Sequence, residues 1–303
     1  MKQLGNALKG WRVMKTSIKI GGREVGENHP CYLVAEIGIN HNGDIAIARS
    51  LIDNAVEYGF DAVKFQKRTI DVVYTADELA QPRETPFGTT NGALKRGLEF
   101  GTSEYDEIDR YCKQKNIQWF CSAWDEGGVD FIERYNPVCY KIASASLTDE
   151  NLLRHTKRTG RPIILSTGMS TLEEIDQAVN ILDGTELMLM HTTSTYPSKD
   201  PDLNLTMILT LRERYQIPIG YSGHEVGVMP SVMAVAGFGA CAVERHITLD
   251  RSMWGSDQSA SLEPRGMELL ANYTRLWPVV RGDGVKRVLD SEVPIKRKLR
   301  RVG

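Results

Sequence analysis

The chain has 303 residues, of which 41% are hydrophobic and 25% charged, with a formal net charge of −2. That balance argues against nucleic acid or a membrane surface as the main partner, and no apolar run approaches the roughly 20 residues a membrane span needs. The length suits a single barrel of alternating strands and helices, which takes about 250 residues.

In chain order, the N-terminal stretch MKQLGNALKGWRVMKTSIKI lacks the apolar core of a signal peptide. Residues 1–30, with Gly21 and Gly22, read as a hairpin extension placed to plug the N-terminal end of a barrel. The first strand-like run is CYLVAEIG (31–38), and a helix start follows near Asp44. DAVKFQ (61–66) is the second run. Residues 68–102 are polar and rich in Pro and Gly, and are expected to form a long loop over the active-site face. A helix begins near Ser103 with Glu104 and Glu107 in its first turn, and IQWFCSA (117–123) and VCYKIAS (138–144) come next. PIILST (162–167) precedes a capping box of Thr171 and Glu174. ELMLMHT (186–192), IPIGYS (217–222), a small-residue helix opened by Pro230, and CAVERHI (241–247) follow. An amphipathic stretch from Glu263 to about Leu276 ends the pattern, before a basic tail over 283–303 that reads as a solvated end.

Eight runs rich in Val, Ile, Leu, Phe and Tyr read as buried parallel strands separated by helices. Eight strands close a (β/α)8 TIM barrel, here over 31–282, and no Rossmann glycine fingerprint follows the first strand. A doubly wound open sheet is the alternative. The five cysteines, Cys31, Cys112, Cys121, Cys139 and Cys241, are odd in number and form no CxxC pair. They read as buried free thiols of a cytoplasmic protein.

In such a barrel the working residues lie where strands end. Here those ends carry Glu36, Lys64 and Gln66, Ser122, Lys141 and Ser144, Ser166, Ser194 and Tyr196, Ser222 and His224, with Glu244 and His246 in the last run. A lysine among apolar strand residues needs an anionic partner or a solvated cavity, so Lys64 and Lys141 with the serines point to a phosphate or carboxylate. His224 and His246 end adjacent strands. Two imidazoles there suit a first-row divalent metal, and each could equally be a satisfied core histidine or a general base. His41 lies among polar residues after the first strand, His191 is on the sixth, and His155 and His29 read as surface and loop.

Taken together, AEIGINHNG (35–43), DAVKFQ, KIASASLT (141–148), LSTGMSTLEEI (165–175), HTTSTYPS (191–198), IGYSGHE (219–225), ERHITLDR (244–251) and GSDQSASLEP (255–264) resemble the sialic acid synthases. The resemblance implies condensation of phosphoenolpyruvate with an amino-sugar aldehyde such as N-acetylmannosamine. Phosphate would leave after water adds to an oxocarbenium centre. It implies a divalent metal on His224 and His246, manganese first, with magnesium or cobalt as alternatives. Lys64, Ser122, Lys141, Ser144, Ser166, Ser194 and Ser222 would hold the phosphate and carboxylate. Glu36, Gln66, Tyr196 and Asp257 would contact the sugar, with Glu36, Lys64 and Lys141 catalytic and Glu36 moving the proton of the new alcohol. A homodimer is expected on the same basis.

Three departures stand out. Ser146 replaces an acidic residue proposed in relatives to handle water, and Gln258 replaces a histidine. The sequence ends in a basic stretch where relatives continue into an antifreeze-like domain that gives the partner's site an arginine. The resemblance is therefore expected to cover the catalytic barrel without that domain. Either the acceptor differs, or a basic residue of the tail or the 68–102 segment replaces that arginine. A synthase for another aldose and a catalytically weak metabolite-binding homologue are the alternative readings.

Overall fold

The computed structural model describes residues 16–302, so the part of the expected N-terminal extension before residue 16 lies outside the described residues. Strands β1 (Ser17–Ile20) and β2 (Arg23–Gly26) pair antiparallel around Gly21 and Gly22. Then come β3 (Tyr32–Gly38), α1 (Ile45–Glu57) and β4 (Ala62–Lys67). The next segment holds α2 (Ile70–Val73), α3 (Ala76–Ala80), β5 (Pro82–Thr85), β6 (Gly88–Thr90) and α4 (Asn91–Leu98). Regular alternation resumes with α5 (Thr102–Lys115), β7 (Gln118–Ala123), α6 (Glu126–Glu133), β8 (Tyr140–Ile142) and α7 (Glu150–Arg158). It continues through β9 (Ile163–Ser166), α8 (Leu172–Ile181), β10 (Leu187–Thr192), α9 (Met207–Tyr215) and β11 (Ile219–Gly223). The chain finishes with α10 (Met229–Ala236), β12 (Ala242–His246), α11 (Pro264–Arg281) and α12 (Val293–Leu299).

The eight parallel strands close in the order β3-β4-β7-β8-β9-β10-β11-β12, with β12 returning to β3 through Ala242↔Tyr32 to His246↔Glu36. Closure excludes the open doubly wound sheet. The runs are buried on both faces, as their apolar composition predicts: outward side chains such as Leu33, Val63 and Leu165 join the helices in one core, inward ones form another. The lower part of the barrel interior is apolar, with Tyr32, Val34, Phe120, Ile164, Met188 and Met190. Ile18, Ile20 and Val25 of the β1–β2 hairpin cover that layer, so the extension plugs the barrel as its sequence suggested. Burying those side chains offsets the cost of an open apolar barrel end. Arg23 pairs with Asp61, and Gln118 Nε2 donates to the Gly21 carbonyl at 3.2 Å, pinning the plug in place.

The 68–102 segment corrects the sequence reading, because it is not a structureless loop. Thr75 and Glu78 form a capping box, and Thr90 Oγ1 accepts the Ala93 N–H at 3.1 Å. Its polar residues are therefore helix caps and surface positions of short elements. The segment leaves the C-terminal end of β4, and Phe87 meets Trp254 of the last βα loop edge-on at 6.3 Å.

His41 is a structural residue of this packing. Its ring stacks on Phe100 at 3.8 Å and its Nδ1 accepts the Gly43 N–H at 3.0 Å. Burial, reinforced by the Arg68 charge, pushes its pKa down to about 3 from 6.5. The unfolded chain therefore takes up the proton first. The contribution of His41 to stability is complete above 6.5 and is lost as pH falls toward about 3. We expect wild type to lose up to about 1.4 kcal/mol per pH unit across that window relative to His41→Gln. Urea unfolding at stepped pH measures it, and parallel curves for the two proteins would count against the assignment.

Candidate active site

Strand alternation brings the polar strand ends together. In β12, Glu244 and His246 are two apart and face inward, while Arg245 between them faces the helices. By the same rule Lys64 and Gln66 of β4 share the inner face. The result is a cavity of about 210 Å3 at the C-terminal end of the barrel. Glu36, Lys64, Gln66, Ser122, Lys141, Ser144, Ser166, Ser194, Tyr196, Ser222, His224 and His246 all line it. Asp257 alone among the expected site residues is not in its wall, although its Oδ2 is 3.8 Å from His246 Nδ1.

The floor is a chain of alternating charges. Gln66 Nε2 donates to Glu36 Oε1 at 2.7 Å, and Lys64 Nζ is 2.8 Å from Glu36 Oε2 and donates to Ser122 Oγ at 2.9 Å. Glu244 Oε1 is 3.5 Å from Lys64 Nζ and 3.1 Å from Lys141 Nζ, and it accepts from the Ser222 hydroxyl at 3.4 Å. All four charged groups are almost fully buried. Burial raises the Glu36 carboxyl above its ordinary value, against Lys64 and with Glu244. Burial works the other way on Lys141, lowering it, whereas Glu244 and Glu36 outweigh burial at Lys64 and hold that ammonium above the usual lysine value. The two lysines hold Glu244 down at about 2 despite its burial. The expected need of each strand lysine for an anionic partner or a cavity is met by both.

Two glycines shape the wall. Gly38 lies at a shift of register between β3 and β4 with φ +54°, and a Cβ there would stand 3.0 Å from Gln66 Nε2 and 3.1 Å from Glu36 Oε1. At Gly168 a Cβ would stand 2.2 Å from Ser194 Oγ and 2.8 Å from Ser144 Oγ. Glycine there lets two hydroxyls and a backbone amide converge, with the Gly168 N–H donating to Ser144 Oγ at 3.0 Å.

His224 and His246 face each other across adjacent strands, ring centroids 5.5 Å apart, with Tyr196 tilted over His224 at 4.1 Å. His224 Nδ1–H donates to the Thr193 carbonyl at 2.7 Å, which leaves Nε2 with its lone pair. Burial, then His246, lowers His224 to about 4, and burial lowers His246 as well. Both rings are neutral at neutral pH. His246 Nδ1 is buried without a hydrogen-bond partner. A pair of neutral imidazoles with an orphaned buried nitrogen is a donor set that fits a divalent cation. Among the described residues no group of three or more His, Cys, Asp or Glu is arranged to hold a metal, so water and ligand oxygens would complete the shell.

Trp124 and Met169 were not singled out from the sequence, and Thr192 and Glu244 were placed at strand ends without a role; all four line the cavity. The inward aim of Glu244 was legible, because a residue two before an inward histidine in a strand points inward too. Of the two unusual positions, Ser146 is buried outside the cavity wall, and Gln258 is buried with its Oε1 accepting from the Thr248 hydroxyl. His191 Nε2 binds the Leu203 carbonyl at 2.7 Å, and His155 lies 2.7 Å from Asp130, so neither serves the site.

Known proteins resemble this chain over most of its length. The model of the NeuB family matches residues 51–286. The N-acetylneuraminate-9-phosphate synthase of Homo sapiens is 38% identical over 283 residues, 92% of this chain and 79% of that protein. The N,N'-diacetyllegionaminic acid synthase of Legionella pneumophila is 33% identical over 299 residues, 95% of this chain and 84% of that protein. A crystal structure of N-acetylneuraminic acid synthetase from Leptospira borgpetersenii serovar Hardjo-bovis, in complex with citrate, superposes with a TM-score of 0.82 at 30% identity. It covers 96% of this chain and 100% of the other. A truncated 3-deoxy-D-arabino-heptulosonate 7-phosphate synthase from Thermotoga maritima, 14% identical with a TM-score of 0.67 over 90% of this chain and 95% of that one, shares the barrel fold.

Proposed function

Since this chain belongs to the NeuB family, we propose that it condenses phosphoenolpyruvate with N-acetylmannosamine or a related amino-sugar aldehyde, forming a nonulosonate and releasing phosphate. The observation that carries this reading is the pair of buried lysines and the ring of strand-end hydroxyls set beside two neutral histidines in one cavity. Lys64 and Lys141, with Ser122, Ser144, Ser166, Ser194 and Ser222, supply cations and directional donors for one phosphate and one carboxylate. An arriving anion competes with Glu244 for both ammoniums, so binding exchanges an internal carboxylate partner for the substrate's.

A carbon–carbon bond forms between the methylene carbon of phosphoenolpyruvate and the aldehyde carbon, whose oxygen takes a proton. Water then adds at the enol carbon, and its bond to the phosphate oxygen breaks. Glu36 is placed for the proton step. Its carboxyl is raised by burial, which favours the protonated form, and Gln66 and Lys64 fix its orientation. Gln66 and Tyr196 border the acceptor end, and Asp257 lies behind His246. His224 and His246 would hold a divalent cation, manganese by preference, which when bound would supply Lewis-acid polarisation of the aldehyde. The five free thiols, four of them buried, suit a cytoplasmic setting, and no helix of the described residues is long and apolar enough to cross a membrane.

The test is phosphate release from phosphoenolpyruvate with Mn2+ and a panel of amino-sugar aldehydes. Release is expected only with an aldehyde present and is expected to stop on chelation. His224→Gln should raise the half-saturating Mn2+ concentration by at least about 10–100-fold, since altering outer-shell partners alone has that effect. Chelator-insensitive release would remove the metal from His224 and His246, and no turnover with any aldose would favour a metabolite-binding role.

A further inference from the structure

Arg68 stands immediately beyond β4, two residues after Gln66 on the same side of the chain. Its guanidinium donates to Gln66 Oε1 and lies over the Trp124 ring, 4.4 Å from the centroid. Gln66 and Trp124 both belong to the wall of the active-site cavity. On its other side Arg68 borders a second, open hollow of about 490 Å3, shared with Thr69, Arg96 and Gly127.

Three cations line that hollow, and two are matched: Lys67 Nζ is 2.7 Å from Glu99 Oε1, and Arg96 pairs with Asp71. Arg68 differs. Among the described residues it forms no ion pair, Glu99 accepts only its backbone N–H at 3.1 Å, and its Nε is buried without any hydrogen-bond partner. A half-buried guanidinium resting on one neutral amide and an indole face has lost much hydration, and the nearby Glu99 carboxylate makes its close contacts with Lys67 and the Arg68 backbone instead. Stacking on Trp124 holds the fork flat and preorganised, the arrangement that suits bidentate capture of a phosphate or carboxylate.

We propose that Arg68 recognises an anionic group, a phosphate or a carboxylate, on the acceptor aldose at the end remote from its aldehyde. The inference rests on the synthase reading above. There Lys64 and Lys141 take the charges of phosphoenolpyruvate in the deeper layer of the cavity. Gln66 borders the acceptor, and an anion at Arg68 lies beyond it, past Trp124 and toward the second hollow. Arg68 is thus a specificity residue for the acceptor, whereas loss of charge there leaves the phosphoenolpyruvate contacts in place.

The experiment follows phosphoenolpyruvate consumption with Mn2+ and three acceptors: N-acetylmannosamine, its 6-phosphate, and the corresponding C6 uronic acid. Wild type is expected to favour one anionic acceptor over the neutral one by about 10–100-fold in kcat/KM. Which of the two it favours identifies the group. Arg68→Gln is expected to erase that preference by raising the KM of the anionic acceptor, with the KM of phosphoenolpyruvate little changed, and Arg68→Lys to restore part of it. Equal use of neutral and anionic acceptors by wild type would overturn the proposal. So would a proportional loss with all three in Arg68→Gln, the signature of a residue that only props Gln66 and Trp124. Either outcome leaves the synthase standing, while no consumption with any acceptor sinks the synthase reading and this inference together.

Discussion

Glu36→Gln is expected to lower the turnover of phosphoenolpyruvate by about 10²–10⁴-fold, the range of a lost general acid or base. The replacement is nearly isosteric. Its amide oxygen still accepts from Lys64, whose Nζ is 2.8 Å from the native Glu36 Oε2, while the amide nitrogen replaces the oxygen that accepts from Gln66 Nε2, so one contact of the floor is lost. What disappears is a proton-carrying group at a position only 1% exposed, where no bulk water substitutes for it. Affinity for phosphoenolpyruvate, measured by calorimetry without acceptor, should change far less than turnover, because both strand lysines remain. Removing Glu36 also frees Lys64 from one carboxylate, so a modest tightening is the expected sign. Wild-type turnover in this variant would take proton transfer away from Glu36 and leave it a partner of Lys64 only.

The largest stability effect is expected outside the cavity, at Arg245 and Glu225, both with 0% side-chain exposure. Arg245 Nη1 donates to Glu225 Oε1 at 2.9 Å, to the Gly227 carbonyl at 2.7 Å and to Ser231 Oγ at 3.0 Å. Its Nη2 reaches the Glu225 carbonyl at 2.6 Å, and the hydroxyls of Tyr221 and Ser231 donate to the Glu225 carboxylate at 2.9 and 2.7 Å. Glu225→Gln leaves the guanidinium buried without its counter-charge and should cost about 3–5 kcal/mol in urea unfolding. Arg245→Met strands the carboxylate with a similar cost. The double variant Glu225→Gln/Arg245→Met carries neither charge and should be more stable than the sum of the single effects allows. Additive losses would mean that the pair is not coupled. The network also bears on the cavity, since Glu225 follows His224 and Arg245 precedes His246, and their ion pair ties the ends of β11 and β12 behind the two imidazoles.

The barrel was legible because a strand buried on both faces must be apolar throughout, so eight such runs stand out against amphipathic helices. Helix starts at Asp44 and Thr171 were legible for a similar local reason: their side chains accept N–H groups two or three residues ahead. The 68–102 segment was not, because its elements are only three to eight residues long and too short to show a period. The hydroxyls, lysines and histidines of the site could be named from their places at strand ends, since every strand of a barrel delivers its C-terminal end to one face.

By itself, then, the sequence determined which side chains point into the barrel and at which end, through the two-residue alternation of each strand. Only the tertiary structure decided which of them meet. Glu244 bridges Lys64 and Lys141 from across the barrel, and Arg68 is left with an amide and an indole while the lysine before it finds Glu99. Those relations depend on the register in which eight strands close and on how the inserted segment packs over them. Alternation is a property of the covalent chain and can be read along it. Distances between strands are set by hydrogen-bonded register and side-chain packing, which arise only when the sheet closes on itself.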